Sequence, residues 1–449
     1  MSTNRYTLTL EKLDSPYSLA EEETILHRDA ANASNSLTKS QTRDLAQRIA
    51  HGLRHSYGVG AGGPNKDVVT VMSYGQIMIP VAFYGVIAAG GVYSAASPSS
   101  TVSELARQIT IGKSNLVICS EEHVAVAKAA AKESGVPLER ILVLSSSPRR
   151  LESLGEGINA ISNSRLDWQT ITDRHALKQS LITILWSSGT TGLPKGVMLS
   201  HENLVAETYI TALSGRSWAE AEVAKGTYEP VEYRALAHLP ISHIAGLFGY
   251  FIAPIYAGGT VIWMQRYRWN DLLKYLREYK ITAFYTVPSI WLRIAKSKEI
   301  TDHFKYVQGA ATGAAPMDGA LQSAASGRLG GASGGDSSQS VSVGQTWGLS
   351  ETTGAVTAVP RGETDVSGSI GSILPGVELR MVDEDFRDVP EGAEGELIVR
   401  SPLVTNGYFN NEEATKGTFR DGWFCTGDIA VRRNGRFFVV DRKKVCDVW

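Results

Sequence analysis

Ser187-Ser188-Gly189-Thr190-Thr191-Gly192-Leu193-Pro194-Lys195-Gly196 is the stretch on which the reading of this chain turns. Its ten residues hold three glycines, four hydroxyl side chains and one lysine. Glycines let a backbone approach anionic oxygens, hydroxyls donate hydrogen bonds, and Lys195 adds a compact positive charge, so the loop is suited to surround a polyphosphate. It is not the GxxxxGK[ST] loop, because the glycine spacing differs and residues 196–199 are strand-like where that loop would open a helix. A glycine-threonine cluster taken alone is more often a flexible hairpin turn. The flanking sequence decides between the two.

Upstream, apolar β-branched runs alternate with helical spacing. Residues 38–53 read as a helix, 67–72 as a strand, 77–89 as a helix, 92–95 as a strand, 103–109 as a helix, 115–119 as a strand, 124–134 as a helix and 140–144 as a strand. Downstream the alternation resumes, with strands at 235–239, 259–263 and 283–287. Strands alternating with helices through short connections predict an α/β fold with two doubly wound, mainly parallel sheets and flanking helices. After about residue 360 the character changes to short strands at 378–382, 395–400 and 436–440 between Gly, Pro and Asn turns, with no good helix. That composition predicts a small β-barrel-like subdomain. The expected division is 1–175, 176–360 with the phosphate loop, 361–440, and a hinge stub at 441–449. Residues 323–342, rich in Gly and Ser, read as a surface loop, and 214–229 as an irregular stretch.

Composition sets limits on function. At 449 residues with 43% hydrophobic and 20% charged residues, the chain is globular and long enough for several cores. A net charge of −2 offers no basic patch for nucleic acid or anionic lipid. The uncharged stretch 76–103 is interrupted by Pro80, Gly90 and Gly91, and the apolar run 239–264 by Pro240, Pro254, Gly258 and Gly259, so both read as core rather than membrane spans. Cys119, Cys425 and Cys446 are too scattered for a disulfide framework, which fits a reducing, cytoplasmic setting.

The ten-residue loop matches, at every fixed position, the phosphate loop of the adenylate-forming (AMP-binding) superfamily, which holds the acyl- and aryl-CoA ligases, the adenylation domains of peptide synthetases and the luciferases. Four further segments resemble that family in its order. Gly313-Ala314-Ala315-Pro316 is similar to the adenine-side segment, and Gln345-Thr346-Trp347-Gly348-Leu349-Ser350-Glu351 to the aromatic-Gly-x-Thr-Glu motif. Trp423 with Thr426-Gly427-Asp428 resembles WxxTGD, and Asp441-Arg442-Lys443-Lys444 the hinge motif. The resemblance covers about residues 36–444 and is nearest to the coumarate:CoA ligase and medium-chain acyl-CoA ligase branch. It implies that Ser187, Ser188, Gly189, Thr190, Thr191, Gly192 and Lys195 surround the phosphates of ATP, with Gly313, Ala314, Ala315, Gln345 and Gly348 near the base. By the same resemblance Trp347 stacks on adenine, Ser350 meets the α-phosphate, Glu351 holds Mg²⁺, Asp428 accepts the ribose hydroxyls, Arg442 lies near the ribose and Lys444 is the hinge.

On the acyl side, Leu239-Pro240-Ile241-Ser242-His243-Ile244-Ala245-Gly246 resembles LPxxHxxG, which implies that His243 sits by the reactive carboxylate and the entrance for coenzyme A. His238 has no such context and reads as structural; no Cys or carboxylate at ligand spacing makes a zinc site of the pair. With Gly348, Gly354 and Ala355 the acyl pocket is expected to be roomy and free of charged residues, suited to an aryl or medium-chain acid and ill suited to an amino acid. Ser350 and Trp347 replace the commoner Thr and Tyr. Relatives carry a further domain with a catalytic lysine after the hinge, whereas Val445-Cys446-Asp447-Val448-Trp449 follows Lys444 here. Loss of one preorganised donor typically costs about 10²–10³ in rate, so slow adenylation and no acyl-CoA is the expectation. A peroxisomal address suits the longer relatives. Two functions stand side by side: a carboxylic acid ligase, and a module that binds nucleotide or acyl-adenylate without turnover. A P-loop ATPase is disfavoured by the missing GxxxxGK[ST].

Overall fold

The computed structural model describes residues 20–167, 171–187, 194–329 and 341–443. A seven-stranded sheet runs in the order Arg149–Ser153, Ile141–Ser146, Leu116–Ser120, Val68–Met72, Val92–Ala96, Leu181–Ser187, Lys195–Ser200. Its five inner strands are mutually parallel and the two edges are antiparallel. Val68–Met72, Val92–Ala96 and Leu116–Ser120 are buried at every position, as parallel strands covered on both faces must be. Met78–Ala88, apolar all round, supplies one of the covers, which is why a charge-free stretch here is core.

A nine-stranded sheet follows the order Ser372–Ile373, Gly354–Ala358, Val343–Leu349, Gly309–Thr312, Ala283–Thr286, Arg234–Ala237, Thr260–Trp263, Ile25–Asp29, Ser36–Thr38. Six consecutive strands of it are parallel, and antiparallel strands close both ends. The third sheet is wholly antiparallel and contains Glu378–Val382, Glu394–Arg400, Phe419–Arg420, Trp423–Arg433 and Arg436–Arg442. The expected architecture of two mainly parallel sheets plus a small β unit therefore holds. Among the described residues, no helix is long and apolar enough to cross a membrane.

Sheet membership does not follow the expected boundary near residue 175. The strands that flank the phosphate loop, Leu181–Ser187 and Lys195–Ser200, extend the first sheet, while Ile25–Asp29 and Ser36–Thr38 cross to the second. The reason is edge pairing: Leu181–Ser187 finds its neighbour in Val92–Ala96, and Ile25–Asp29 in Thr260–Trp263. Two loop expectations also change. Residues 214–224 continue one long helix, His201–Ala224, and residues 319–326 form a helix with Ala325 buried; 330–340 lie outside the described residues. The β unit also holds a short helix, Glu412–Thr418, capped by Asn411.

The long helix begins where the strand after the phosphate loop ends. Ser200 caps it by accepting from the Asn203 amide, a contact worth about 1 kcal/mol. Asn203 in turn donates to the Pro402 and Val404 carbonyls, at 2.9 and 3.0 Å, which pins residues 402–404 to the helix start.

Three buried histidines give the fold an acid-sensitive component. Burial lowers the pKa of His27 to about 3 and of His201 and His238 to about 4, from 6.5. Nε2 of His27 and Nδ1 of His201 have no partner among the described residues, so added charge there goes uncompensated. Their folded pKa values lie below the unfolded one. Between these values the unfolded chain binds protons that the folded chain refuses, and stability falls as pH falls through that window. Each group contributes at most about 1.4 kcal/mol per pH unit. Thermal melts from neutral pH downward should show the midpoint dropping below about pH 6.5, and His201→Gln should drop less steeply.

Candidate active site

One cavity of about 2100 Å³ lies where the three sheets meet. The phosphate-loop flanks reach it from the first sheet, since Ser187 ends one lining strand and Lys195 begins the next. Ser188, Gly189, Thr190, Thr191 and Gly192 lie outside the described residues, as does Lys444. The Ser187 hydroxyl is buried and has no partner among the described residues, so none of them receives this donor. Such an orphan suits an anionic oxygen arriving from outside.

Lys195 and Glu351 meet at a residue that no sequence motif singled out. Tyr408 donates from its hydroxyl to Oε1 of Glu351 at 2.9 Å, and Nζ of Lys195 stands 5.2 Å from the centre of the same ring. Glu351 is only 8% exposed yet lines the cavity. Burial first, and the Glu351 charge second, push the Tyr408 phenol well above its usual pKa, so it remains a donor. The backbone repeats the tie. Thr405 donates its amide to the Glu351 carbonyl at 2.7 Å, Phe409 donates its amide to the Gly196 carbonyl at 2.7 Å, and Met198 donates its amide to the Gly407 carbonyl at 3.0 Å. The signal for Tyr408 was weak, because one tyrosine in a Gly/Asn turn carries no periodicity.

Among the described residues, no three His, Cys, Asp or Glu side chains gather into a metal cage. Magnesium seldom needs one: a single carboxylate together with substrate phosphates and water is a usual set. Glu351 fits that use, with one oxygen fixed by Tyr408 and the other left for a cation.

The strand Val343–Leu349 sorts its residues by parity. Val343, Gln345 and Trp347 are buried, while Thr346 and Gly348 line the cavity. Gln345, expected beside the base, turns away and holds both the amide and the carbonyl of Met317, at 3.1 and 2.9 Å. It thereby fixes the segment that precedes it, in which Gly313 and Ala314 line the cavity and Ala315 does not. Ala314 sits at φ +68, a left-handed conformation costly for a residue with a Cβ. Trp347, expected as the stacking ring, is packed in the core and does not line the cavity. Its Nε1 donates to Oδ2 of Asp428 at 2.9 Å.

Asp428 is 7% exposed and also stands behind the cavity wall. Its other oxygen accepts from Nε of Arg442 at 2.8 Å, and Arg442 does line the cavity. Both oxygens are therefore engaged, one by a fixed indole and one by a flexible guanidinium near the end of the last strand.

His243, Ser350 and Glu351 share this cavity. His243 caps the short helix Ile244–Leu247, and its Nδ1 accepts from the Ala245 amide at 3.3 Å. The ring is open to the cavity, yet enough protein surrounds it that burial lowers its pKa. A neutral ring with Nδ1 accepting presents Nε2–H as a donor. The next turn, Phe248–Ile252, is a π-helix, a form frequent at functional sites. Gly246 is demanded by packing, since a Cβ there would collide with the Pro240 carbonyl.

The wall expected to be open at Gly354 and Ala355 is not. Gly348 and Gly354 approach so closely that a Cβ on Gly348 would strike the Gly354 carbonyl. The space beside Gly354 is filled by Glu207 of the long helix, whose Oε1 accepts from the Ala355 amide at 3.0 Å. A charge-capable residue thus belongs to a pocket that was expected to have none. A single Glu within a helix reads as solvated from sequence, and nothing local reveals that it faces inward.

The AMP-binding enzyme family model matches residues 20–409. A protein of Emericella nidulans named as an acyl-coenzyme A synthetase is 44% identical over 435 residues, 96% of this chain and 76% of that protein. The 4-coumarate–CoA ligase-like 9 protein of Oryza sativa subsp. japonica is 30% identical over 427 residues, 93% of this chain and 71% of that protein. Among solved structures, ATP-bound MatB from Rhodopseudomonas palustris aligns with a TM-score of 0.75 at 26% identity, covering 98% of this chain and 79% of that one. The chain belongs to the AMP-binding enzyme family, with acyl-CoA synthetases and 4-coumarate–CoA ligase-like proteins among its homologues.

Proposed function

We propose that this chain activates a carboxylic acid with a largely apolar tail, aryl or medium-chain, by transferring the adenylyl group of ATP to it, as a step toward a CoA thioester. The observation that supports this best is the meeting of Lys195, Glu351 and Tyr408 in the same cavity as His243. A phosphate-binding cation, a metal-binding carboxylate and an apolar acyl wall then face one volume.

The proposed reaction starts when a carboxylate oxygen of the acid attacks the α-phosphorus of ATP. The bond to the bridging oxygen breaks, and pyrophosphate leaves with that oxygen. Lys195 and the Ser187 hydroxyl offset the phosphate charge, and Mg²⁺ on Glu351 would neutralise more of it. Ser350, next to Glu351, faces the cavity where the α-phosphate would lie. His243 orients the acid through Nε2–H without carrying a charge of its own. For the ribose hydroxyls to reach Asp428, Arg442 has to release its oxygen, so nucleotide binding and movement of the last strand's end are linked in this reading.

Two substitutions test it. Asp428→Ala removes a charge-assisted contact worth roughly 1.5–3 kcal/mol, so calorimetry should show AMP or ATP binding about 10- to 100-fold weaker. Equal affinity in both proteins would rule out Asp428 as the ribose acceptor. Tyr408→Phe leaves Glu351 without its donor. It should weaken Mg²⁺-dependent ATP binding by about tenfold or more while changing Mg²⁺-free AMP binding much less. Equal losses with and without Mg²⁺ would place Tyr408 outside the metal site. Nucleotide binding with no ATP–pyrophosphate exchange on any acid would favour the binding module over the ligase.

A further inference from the structure

Glu207 is a polar group of the acyl wall whose hydrogen bonding is incomplete among the described residues. It sits on the long helix His201–Ala224 and is 2% exposed, yet it lines the cavity together with Gly354 and Ala355. Oε1 is committed to the Ala355 amide at 3.0 Å, whereas Oε2 is buried with no partner among the described residues. The neighbouring hydroxyls do not supply one. Thr208 and Thr211, which also line the cavity, donate to the helix carbonyls of Leu204 and Glu207, each at 2.7 Å. Burial raises the Glu207 pKa well above its usual value, and the Ala355 amide opposes this only in part. Burial thus favours the protonated carboxyl, in which Oε1 accepts from the Ala355 amide and Oε2–H is a donor that lacks an acceptor among the described residues.

A buried donor left empty on a ligand-facing wall selects for a ligand that fills it. We infer that Glu207 is a specificity-determining residue, and that the acid taken by this pocket carries a hydrogen-bond-accepting oxygen, a hydroxyl or carbonyl, on its otherwise apolar tail at the depth of Gly354 and Ala355. This rests on the proposed acid activation and sharpens it, because the tail is neither purely apolar nor charged. The position of Gly354 agrees. Its φ of +134 and the approach of Glu207 Oε1, 2.5 Å from where a Cβ would stand, leave room for the carboxyl and for nothing larger on the strand.

The test is binding rather than turnover. Non-hydrolysable acyl-sulfamoyl adenosines are titrated in pairs, phenylacetyl against para-hydroxyphenylacetyl and hexanoyl against ω-hydroxyhexanoyl, with the wild-type chain, Glu207→Gln and Glu207→Met. In at least one pair the wild type should bind the hydroxylated member about tenfold tighter, the worth of one neutral hydrogen bond. Glu207→Gln keeps an acceptor for the Ala355 amide and a donor toward the tail, so it should retain the preference. Glu207→Met has neither and should lose it. A residue that merely braces Gly354 would change the affinities of both members alike. Equal binding of both members of both pairs by the wild type overturns the inference and leaves acid activation standing, and it does so even if Glu207→Met does not fold. Retention of the preference in a folded Glu207→Met overturns it as well. Failure of every adenosine sulfamate, with no AMP binding either, overturns acid activation and the inference together.

Discussion

The hydrogen bond from Tyr408 to Glu351 joins parts of the chain that no local rule brings together. Tyr408 belongs to a segment that runs beside the edge strand Lys195–Ser200, with an isolated bridge between Val197 and Tyr408. Glu351 belongs to the 3₁₀ turn Ser350–Thr352, which follows the strand Val343–Leu349 of the other large sheet. Between them, residues 402–409 are bonded to the helix start at Asn203, to the Glu351 carbonyl, and to Thr353, whose Oγ1 donates to the Leu403 carbonyl at 2.5 Å. One short segment therefore sets the distance between the strand that begins with Lys195 and the residue best placed to hold a metal. Because Glu351 is nearly buried, the bond to Tyr408 also satisfies one oxygen of a carboxylate that has little water to turn to.

Asp428 shows the same economy from the other side. Trp347 fixes one oxygen from a rigid strand, while Arg442 holds the second from the last residues of the β unit. An anion with one permanent and one exchangeable donor can accept a ligand without being exposed as a bare charge beforehand. The exchange is nearly neutral in hydrogen-bond count, so its cost lies mainly in moving Arg442.

Local patterns carry the strand and helix assignments because buried parallel strands are short uncharged, mostly apolar runs, and residues 68–72, 92–96 and 116–120 have that signature without help from elsewhere. Which sheet a strand joins is another matter. Ile25–Asp29 pairs with Thr260–Trp263 across more than two hundred residues, and no local feature of either strand states this. The long helix was misread around residue 214 for a related reason. It has core on one side and the cavity on the other, so its small and polar residues do not fall into one stripe. Within the site, Lys195, His243, Ser350 and Glu351 were legible through motif resemblance and do share the cavity. Gln345 and Trp347 were placed there by the same resemblance, although the two-residue period of a strand already sets them on the face opposite Thr346. Tyr408 and Glu207 were illegible because their roles depend on partners distant in sequence.

The acyl wall is where this distinction has most chemical effect. Small residues at 354 and 355 suggest open space when read along the chain, and the fold fills that space from a helix far earlier, as the Glu207 to Ala355 bond spans 148 positions. A glycine at a pocket can therefore mean room for substrate or room for another side chain. The backbone at Gly354 favours the second, since its positive φ and the nearby carboxyl oxygen of Glu207 both exclude a Cβ. The pocket's character is then set less by the motif that follows Glu351 than by the helix that packs against it. Homologues with the same motif and a different residue at the position of Glu207 would present a different wall to the acid.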